Sequence, residues 1–118
     1  MKTSSFAISG TNPLAVSIAR YVDYRHNPYR GKTYIALAPS PSLFKAWKNR
    51  EVTEEEYKKR FYQETLSKTT PEKVLQDLGK SAILLCFEPP GKFCHRRQVA
   101  LWLEDGLGIR VPEIWLIS

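Results

Sequence analysis

The stretch LLCFEPPGKFCHRR, residues 84–97, holds the residues whose types and spacing could do chemistry. If a helix begins near Cys94, the helix dipole and the neighbouring arginines would lower the pKa of its thiol. Such a thiolate is a nucleophile or a redox group, and His95 or Glu88 could transfer the proton. The alternative is that Cys94 packs as a small apolar side chain.

Arg96 and Arg97 would stand at the start of that helix, where the positive end of the dipole disfavours cations. A bound anion would remove the conflict, because backbone N–H groups and a guanidinium fork would face it together. We therefore predict an anion-binding role for both arginines. In the competing interpretation, one arginine pairs with Glu88 inside the fold and the other is solvated.

Cys86 falls near the end of an apolar run, where burial is its expected fate. Together with Cys94 and His95 it could supply three ligands to zinc, but their spacing matches no usual zinc signature. We therefore predict no metal and no cofactor. We also expect no disulfide between the two cysteines, because cytoplasmic thiols are kept reduced. The cytoplasmic expectation follows from the lack of a membrane-length apolar run and of a secretory signal, and no membrane partner is expected.

A second candidate surface is RYVDYRHNPYRGKTY, residues 20–34, which shows no clear period and is predicted to be a long loop. It interleaves cations with tyrosines, a combination that suits a nucleobase or a single-stranded nucleic acid. The alternative is a solvated loop with tyrosines half packed on the sheet. The residues that could line a pocket are Arg20, Tyr24, Arg25, Tyr29 and Arg30.

The composition describes one soluble domain over residues 1–118, with 42% apolar and 25% charged residues. The formal net charge of +6 and the pI of about 9.4 favour anionic partners: nucleic acid, nucleotides or phosphorylated metabolites. The sequence predicts no particular oligomeric state.

The first two thirds of the chain predict two short strands and three helices. The strands are SFAIS and LAVSIAR, residues 5–9 and 14–20. The first helix has Ser40 as its N-cap and runs to about Asn49, and the second opens with Thr53 and Glu56 at capping-box spacing. A third is capped by Thr70 and stopped by Gly79.

The last third reads as strand, helix, strand: AILLCF at 82–87, RQVALWLEDG at 97–106 and EIWLIS at 113–118. This order predicts a parallel unit with a right-handed crossover. We predict an α/β fold, a three-layer single domain with a small, mostly parallel sheet of about four strands and flanking helices. Ligands of open α/β sheets bind beyond the carboxyl ends of the strands, so the junction at 84–97 is the expected site.

The segment LLCFEPPGKFCHRRQVALWLE resembles the family called domain of unknown function 488, small α/β proteins of bacteria, archaea and phages. The likeness lies in the pattern Cys-x-Glu, then Cys-His-Arg, then a helix. Residues 34–66 and the stretch VSIAR also look like segments of that family, so the resemblance covers most of the chain. It implies an α/β protein and names no substrate. By position, it implies a motif of Cys86, Glu88, Cys94, His95 and Arg96.

Three functions remain open at this stage. The first is a small enzyme that acts on an anionic substrate, a nucleotide or nucleic acid, through the residues of the junction. The second is a non-catalytic module that binds nucleic acid or a phosphorylated ligand. The third is a structural motif, with Arg96 and Glu88 paired inside the fold and the function in a protein interface.

Overall fold

A computed structural model describes residues 1–116 of the chain. Its sheet has three parallel strands in the order β1-β3-β2. These are β1 (Lys2–Ser5), β2 (Ala15–Ser17) and β3 (Ile83–Cys86). The helices are α1 (Phe6–Ser9), α2 (Pro41–Lys48), α3 (Glu54–Glu64), α4 (Pro71–Leu78) and α5 (His95–Leu107). Short 3-10 turns lie at Ile35–Leu37 and Leu66–Lys68.

The central strand β3 is buried along its whole length, as its unbroken apolar run predicts. Leu84 faces the larger core cluster, to which α2, α3, α4 and α5 all contribute side chains. Ile83 and Leu85 face the opposite side, where Phe6 of α1 and Tyr29 of the long loop cover them. The α/β fold with its parallel sheet is therefore confirmed, and one of its outer layers consists of a short helix and a loop.

The predicted helix starts are confirmed by their capping contacts. The Ser40 hydroxyl accepts a hydrogen bond from a backbone N–H of the first turn of α2 at 3.1 Å. Thr53 and Glu56 form the reciprocal capping box of α3, with bonds of 2.9 and 3.1 Å. Thr70 caps α4 in the same way, and Gly79 ends it in a conformation with φ of 80°.

The prediction of a strand over residues 5–9 is wrong. Strand β1 ends at Ser5, whose hydroxyl accepts a hydrogen bond from the N–H of Ile8 and so starts α1. An apolar segment of only a few residues can form a strand or a helix, and here the helix cap at Ser5 decides for the helix.

The predicted last strand is reduced to a bridge within the described residues. Thr3 pairs with Glu113 through backbone bonds of 3.0 Å to Pro112 and 2.8 Å from Ile114. The sheet described here has three strands rather than about four, and the remainder of the predicted strand, residues 117–118, lies outside the described residues. Along residues 1–116, no helix combines the length and the apolar character that crossing a membrane requires.

Candidate functional site: a cysteine–histidine centre under an aromatic pocket

The carboxyl ends of β2 and β3 open into a pocket of about 110 Å³. The register aligns Ser17 of β2 with Leu85 of β3, so both strands end at the same edge of the sheet. Cys86, Cys94 and His95 line this pocket, one from the end of β3 and two from the start of α5. The structure thus brings these predicted site residues together at the expected strand-to-helix junction.

His95 is buried and held in one orientation. Its Nε2 lies 2.7 Å from the carbonyl oxygen of Ile18, an acceptor, so Nε2 carries the proton and donates it. The bare lone pair of Nδ1 then faces the sulfurs of Cys86 and Cys94, at 3.6 and 3.8 Å. Burial, aided by the positive charge of Arg96, lowers the pKa of His95 to about 4, although the bond to Ile18 opposes this shift. The imidazole is therefore neutral at pH 7, and the unprotonated Nδ1 faces the two sulfurs.

The structure joins Cys86 and Cys94 in a disulfide, which corrects the expectation that none would form. The turn at residues 89–91, in which Gly91 has a φ of 88°, folds the connecting loop back so that the two sulfurs meet. Cys94 is the N-cap residue of α5, and its side chain makes no capping bond; its sulfur is bonded to Cys86 instead. Both cysteines are buried, at 6% and 8% exposure. Cys94 is therefore both packed, as one interpretation predicted, and part of the floor of a pocket, where the other interpretation needs it.

Aromatic rings form the walls above the cysteines. The rings of Trp47, Tyr57 and Phe93 contact one another with centroids 4.8 to 5.3 Å apart, and Phe44 completes the lining. Burial raises the pKa of the Tyr57 hydroxyl, so it remains protonated. None of these aromatic residues was predicted as part of the site. The signal for two of them is the spacing of Phe44 and Trp47, three residues apart in α2, which places both rings on one face.

The rim of the pocket carries the charged groups. Glu88 and Arg20 line it, and the Nε of Arg20 donates to the carbonyl of Pro39 at 2.9 Å. An outer chamber of about 700 Å³ adjoins the inner one, because Phe44, Trp47, Phe87 and Glu88 line both. The outer chamber also has Tyr21 and Asp23, which belong to the predicted loop surface, and Lys48 and Arg50, which were not predicted as site residues.

Arg96 has an internal partner and does not line the pocket. Its side chain is fully buried, and it binds the carboxylate of Glu113 through contacts of 2.8, 3.0 and 3.1 Å. Burial alone would raise the pKa of Glu113, but hydrogen bonds from Arg96 and Thr3 and the charges of both arginines hold it below its usual range. The carboxylate partner of Arg96 is thus Glu113 rather than Glu88. The sequence signal for Glu113 is that it is the one acidic residue in the apolar segment VPEIWLIS.

Arg97 also turns away from the cysteines. Its guanidinium donates to the hydroxyl of Thr3 at 2.8 Å and to the carbonyl of Val111 at 3.0 Å. Together with Arg96, it ties the segment after α5 to the first strand. The predicted anion site therefore has no arginine from α5 on its inner wall, and Arg20 is the guanidinium placed there.

The long loop divides into a buried anchor and an exposed part. Tyr29 is 2% exposed, and its hydroxyl accepts a bond from the N–H of Ser17 at 3.0 Å. Arg30 lies over the ring of Tyr24 at 5.7 Å, and Arg25 is exposed beside Asp23. Of the five loop residues predicted for a pocket, Arg20 alone lines the inner chamber.

These features define a class: a small α/β protein with a cysteine–cysteine–histidine centre at the carboxyl edge of a parallel sheet. The family model described as the active DUF488-N3 subclade matches residues 14–107. The chain therefore belongs to the DUF488 family, as the resemblance of its sequence suggested. The matched region runs from β2 to α5 and contains the whole centre. No curated protein and no solved structure matches the chain.

Proposed function

We propose that this protein is a small enzyme that acts on a nucleotide or nucleic acid, with the thiol of Cys94 as its nucleophile in the reduced form. One observation carries the proposal. Two sulfurs and the unprotonated Nδ1 of a neutral histidine share the floor of an aromatic pocket, with Nδ1 3.6 Å from Cys86 and 3.8 Å from Cys94. Such a pocket with converging reactive groups is the usual form of an active site.

The pocket suits a flat ring with an attached anion. A cavity of about 150 Å³ accepts a benzene molecule, so the inner chamber of about 110 Å³ is of the order of a single ring. Bases stack on aromatic side chains in a way that tolerates any sequence. Arg20 at the rim and Lys48 and Arg50 in the outer chamber supply positive charge for a phosphate.

The chemistry requires that the disulfide first be opened by a cellular thiol reductant. Nδ1 of His95 then accepts the proton of the Cys94 thiol as the sulfur attacks an electrophilic carbon of the substrate, since an imidazole with a pKa of about 4 does not hold that proton beforehand. The bond to the leaving group breaks, and the protonated imidazole returns its proton to that group. A water molecule then attacks the same carbon, its proton passes through Nδ1 to the departing sulfur, and the thiol is restored. Cys94 is favoured over Cys86 as the nucleophile because it adjoins the start of α5, where the dipole stabilises a thiolate.

The test is to incubate the reduced protein with nucleoside mono- and triphosphates and with short single strands. Products are followed by chromatography and covalent adducts by intact mass. We expect Cys94→Ser to abolish turnover and adduct formation while substrate still binds. Arg20→Met should weaken binding, whereas Arg25→Met, at an exposed position outside the pocket, should not. Turnover by Cys94→Ser at the wild-type rate would refute the proposal, as would the failure of every compound to bind.

A non-catalytic nucleic-acid module is the second candidate, since both cysteines are bonded in this structure. Tyr24 and Arg25 are exposed on the long loop, and Arg30 lies over the Tyr24 ring. This function predicts binding of single strands that weakens steeply with salt and is equal in the oxidised and reduced protein. Binding that requires reduction, or that does not respond to salt, would eliminate it.

A further inference from the structure

The ligand atoms of Cys86, Cys94 and His95 lie in the arrangement that a tetrahedral metal ion needs. All three lie within 4.8 Å of one another. Zinc binds sulfur at about 2.3 Å and imidazole nitrogen at about 2.0–2.1 Å, which places such ligands about 3.6 Å apart at the tetrahedral angle. The Nδ1 atom lies 3.6 Å from one sulfur and 3.8 Å from the other. Both nitrogen–sulfur edges of a tetrahedral site are therefore already present.

The support behind His95 also has the form that metal sites use. A ligating histidine commonly donates its other ring N–H to a carbonyl or carboxylate, which fixes the tautomer and the ring orientation. Here Nε2 donates to the carbonyl of Ile18 at 2.7 Å, deep in the core. The nitrogen left free is the one that faces the sulfurs, and no described side chain other than the two cysteines is hydrogen-bonded to it.

The two sulfurs have to separate from bonding contact to about 3.8 Å, the sulfur–sulfur edge of a tetrahedral zinc site. Their Cα atoms are 6.9 Å apart, just beyond the usual disulfide range of about 4.4–6.8 Å. Parting the sulfurs after reduction therefore requires side-chain movement and little movement of the backbone.

We propose that the reduced protein binds one Zn²⁺ through Cys86, Cys94 and His95, with a fourth coordination position open to the aromatic pocket. A dithiol reductant supplies two electrons and two protons to the disulfide and is itself oxidised to a disulfide, and each thiol of the protein releases its proton when the ion binds. Three protein ligands and one open position are the pattern of catalytic rather than structural zinc sites. Sequence analysis expected no metal, because the spacing of these residues matches no usual zinc signature, but the fold brings them together.

Zinc binding does not depend on the proposed enzymatic activity. A bound Zn²⁺ takes one lone pair of each thiolate and withdraws electron density from the sulfur, so it should slow alkylation of Cys94. The two properties can therefore be separated. Metal binding by a protein whose metal-free reduced form shows no turnover would leave this inference standing and count against the nucleophilic cysteine.

The test is competition of the protein with a chromophoric chelator for Zn²⁺, after reduction with a phosphine that itself leaves the ion free. We expect one Zn²⁺ per chain in the reduced protein and none in the oxidised protein. Cys94→Ser should lower the affinity by more than about 100-fold, since loss of even a supporting partner costs about 10–100-fold. The matched control is His26→Ala, the removal of the other, exposed histidine, which should leave the affinity unchanged.

Substitution by Co²⁺ gives a second readout that does not rely on a variant folding correctly. Thiolate coordination in the reduced wild type should produce a sulfur-to-cobalt charge-transfer band and intense tetrahedral absorption, both lost on oxidation. Absence of those bands, or equal Zn²⁺ affinity in the oxidised protein or in Cys94→Ser, would overturn the inference.

Discussion

Replacing Glu113 by glutamine should destabilise this protein strongly, because it leaves a buried guanidinium without its counter-charge. Arg96 is 0% exposed in its side chain and Glu113 is 6% exposed, so water cannot solvate the charge that remains. Glutamine keeps the size of the side chain and one oxygen for the hydroxyl of Thr3, which donates to Glu113 at 2.5 Å. The change removes the charge and one acceptor, and its amide NH2 group faces the donors of the Arg96 guanidinium.

The expected cost is about 3–5 kcal/mol, the usual result of breaking a buried ion pair on one side. Three contacts of 2.8 to 3.1 Å join the two groups, and Nη1 of Arg96 is buried with no hydrogen-bond partner among the described residues, so the loss of Glu113 leaves the whole guanidinium poorly satisfied. With 118 residues the entropy of unfolding is about 250 cal/mol/K, so each kcal/mol shifts the Tm by about 4 °C. The Tm should fall by about 12–20 °C.

Urea unfolding followed by circular dichroism measures this loss, together with thermal melting. Asp105→Asn, which neutralises an exposed carboxylate on α5, is the matched control and should stay within about 0.5 kcal/mol of wild type. The double variant Glu113→Gln with Arg96→Met should recover at least about 1 kcal/mol relative to Glu113→Gln, because no buried charge is left unpaired. A loss below about 1 kcal/mol in the single variant would refute the reasoning.

Three further predictions concern the thiol, the helices and pH. In the variant Cys86→Ser, Cys94 should react with iodoacetamide with an apparent pKa below the ordinary thiol value of about 8.5. A Cys94 thiol that does not react would contradict its place in the pocket. Thr53→Ala should cost about 1 kcal/mol in urea unfolding through loss of the α3 capping box, and the exposed substitution Lys59→Ala much less. The pKa of His95 is lowered to about 4 in the folded protein, so between about pH 4 and pH 6.5 the histidine binds a proton in the unfolded chain but not in the folded one. The free energy of unfolding of the metal-free protein should therefore fall by about 2 kcal/mol between pH 7 and pH 5, and the control variant His26→Ala should show the same fall. A free energy of unfolding that stays constant over this pH range would show that His95 is solvated.

The acid side of the stability profile also bears on Glu113. Its pKa is lowered in the folded protein, so its contribution is present above the ordinary carboxyl pKa and is lost as the pH falls through the folded value. In Glu113→Gln this part of the acid-induced loss should be missing.

The sequence by itself determined the elements whose stabilising contacts are local. Ser40, Thr53 and Thr70 each cap a helix through a bond to a residue three positions on, so the signal and its partner lie in the same short window. The apolar run of β3 and the loop after β2 were likewise predicted correctly. The strand–loop–helix order then placed the site at residues 84–97, where the structure has its cysteines and histidine.

What the tertiary structure decided depends on residues far apart in the chain. His95 is oriented by Ile18, 77 residues away, and this bond determines which nitrogen faces the sulfurs. The partner of Arg96 is Glu113 because α5 packs beside the first strand, whereas proximity in sequence favoured Glu88. The aromatic walls join α2, α3 and the loop before α5. Composition and spacing indicate which residues are candidates. Only the packing of these elements selects their partners, because each side chain has several chemically equivalent partners available elsewhere in the sequence.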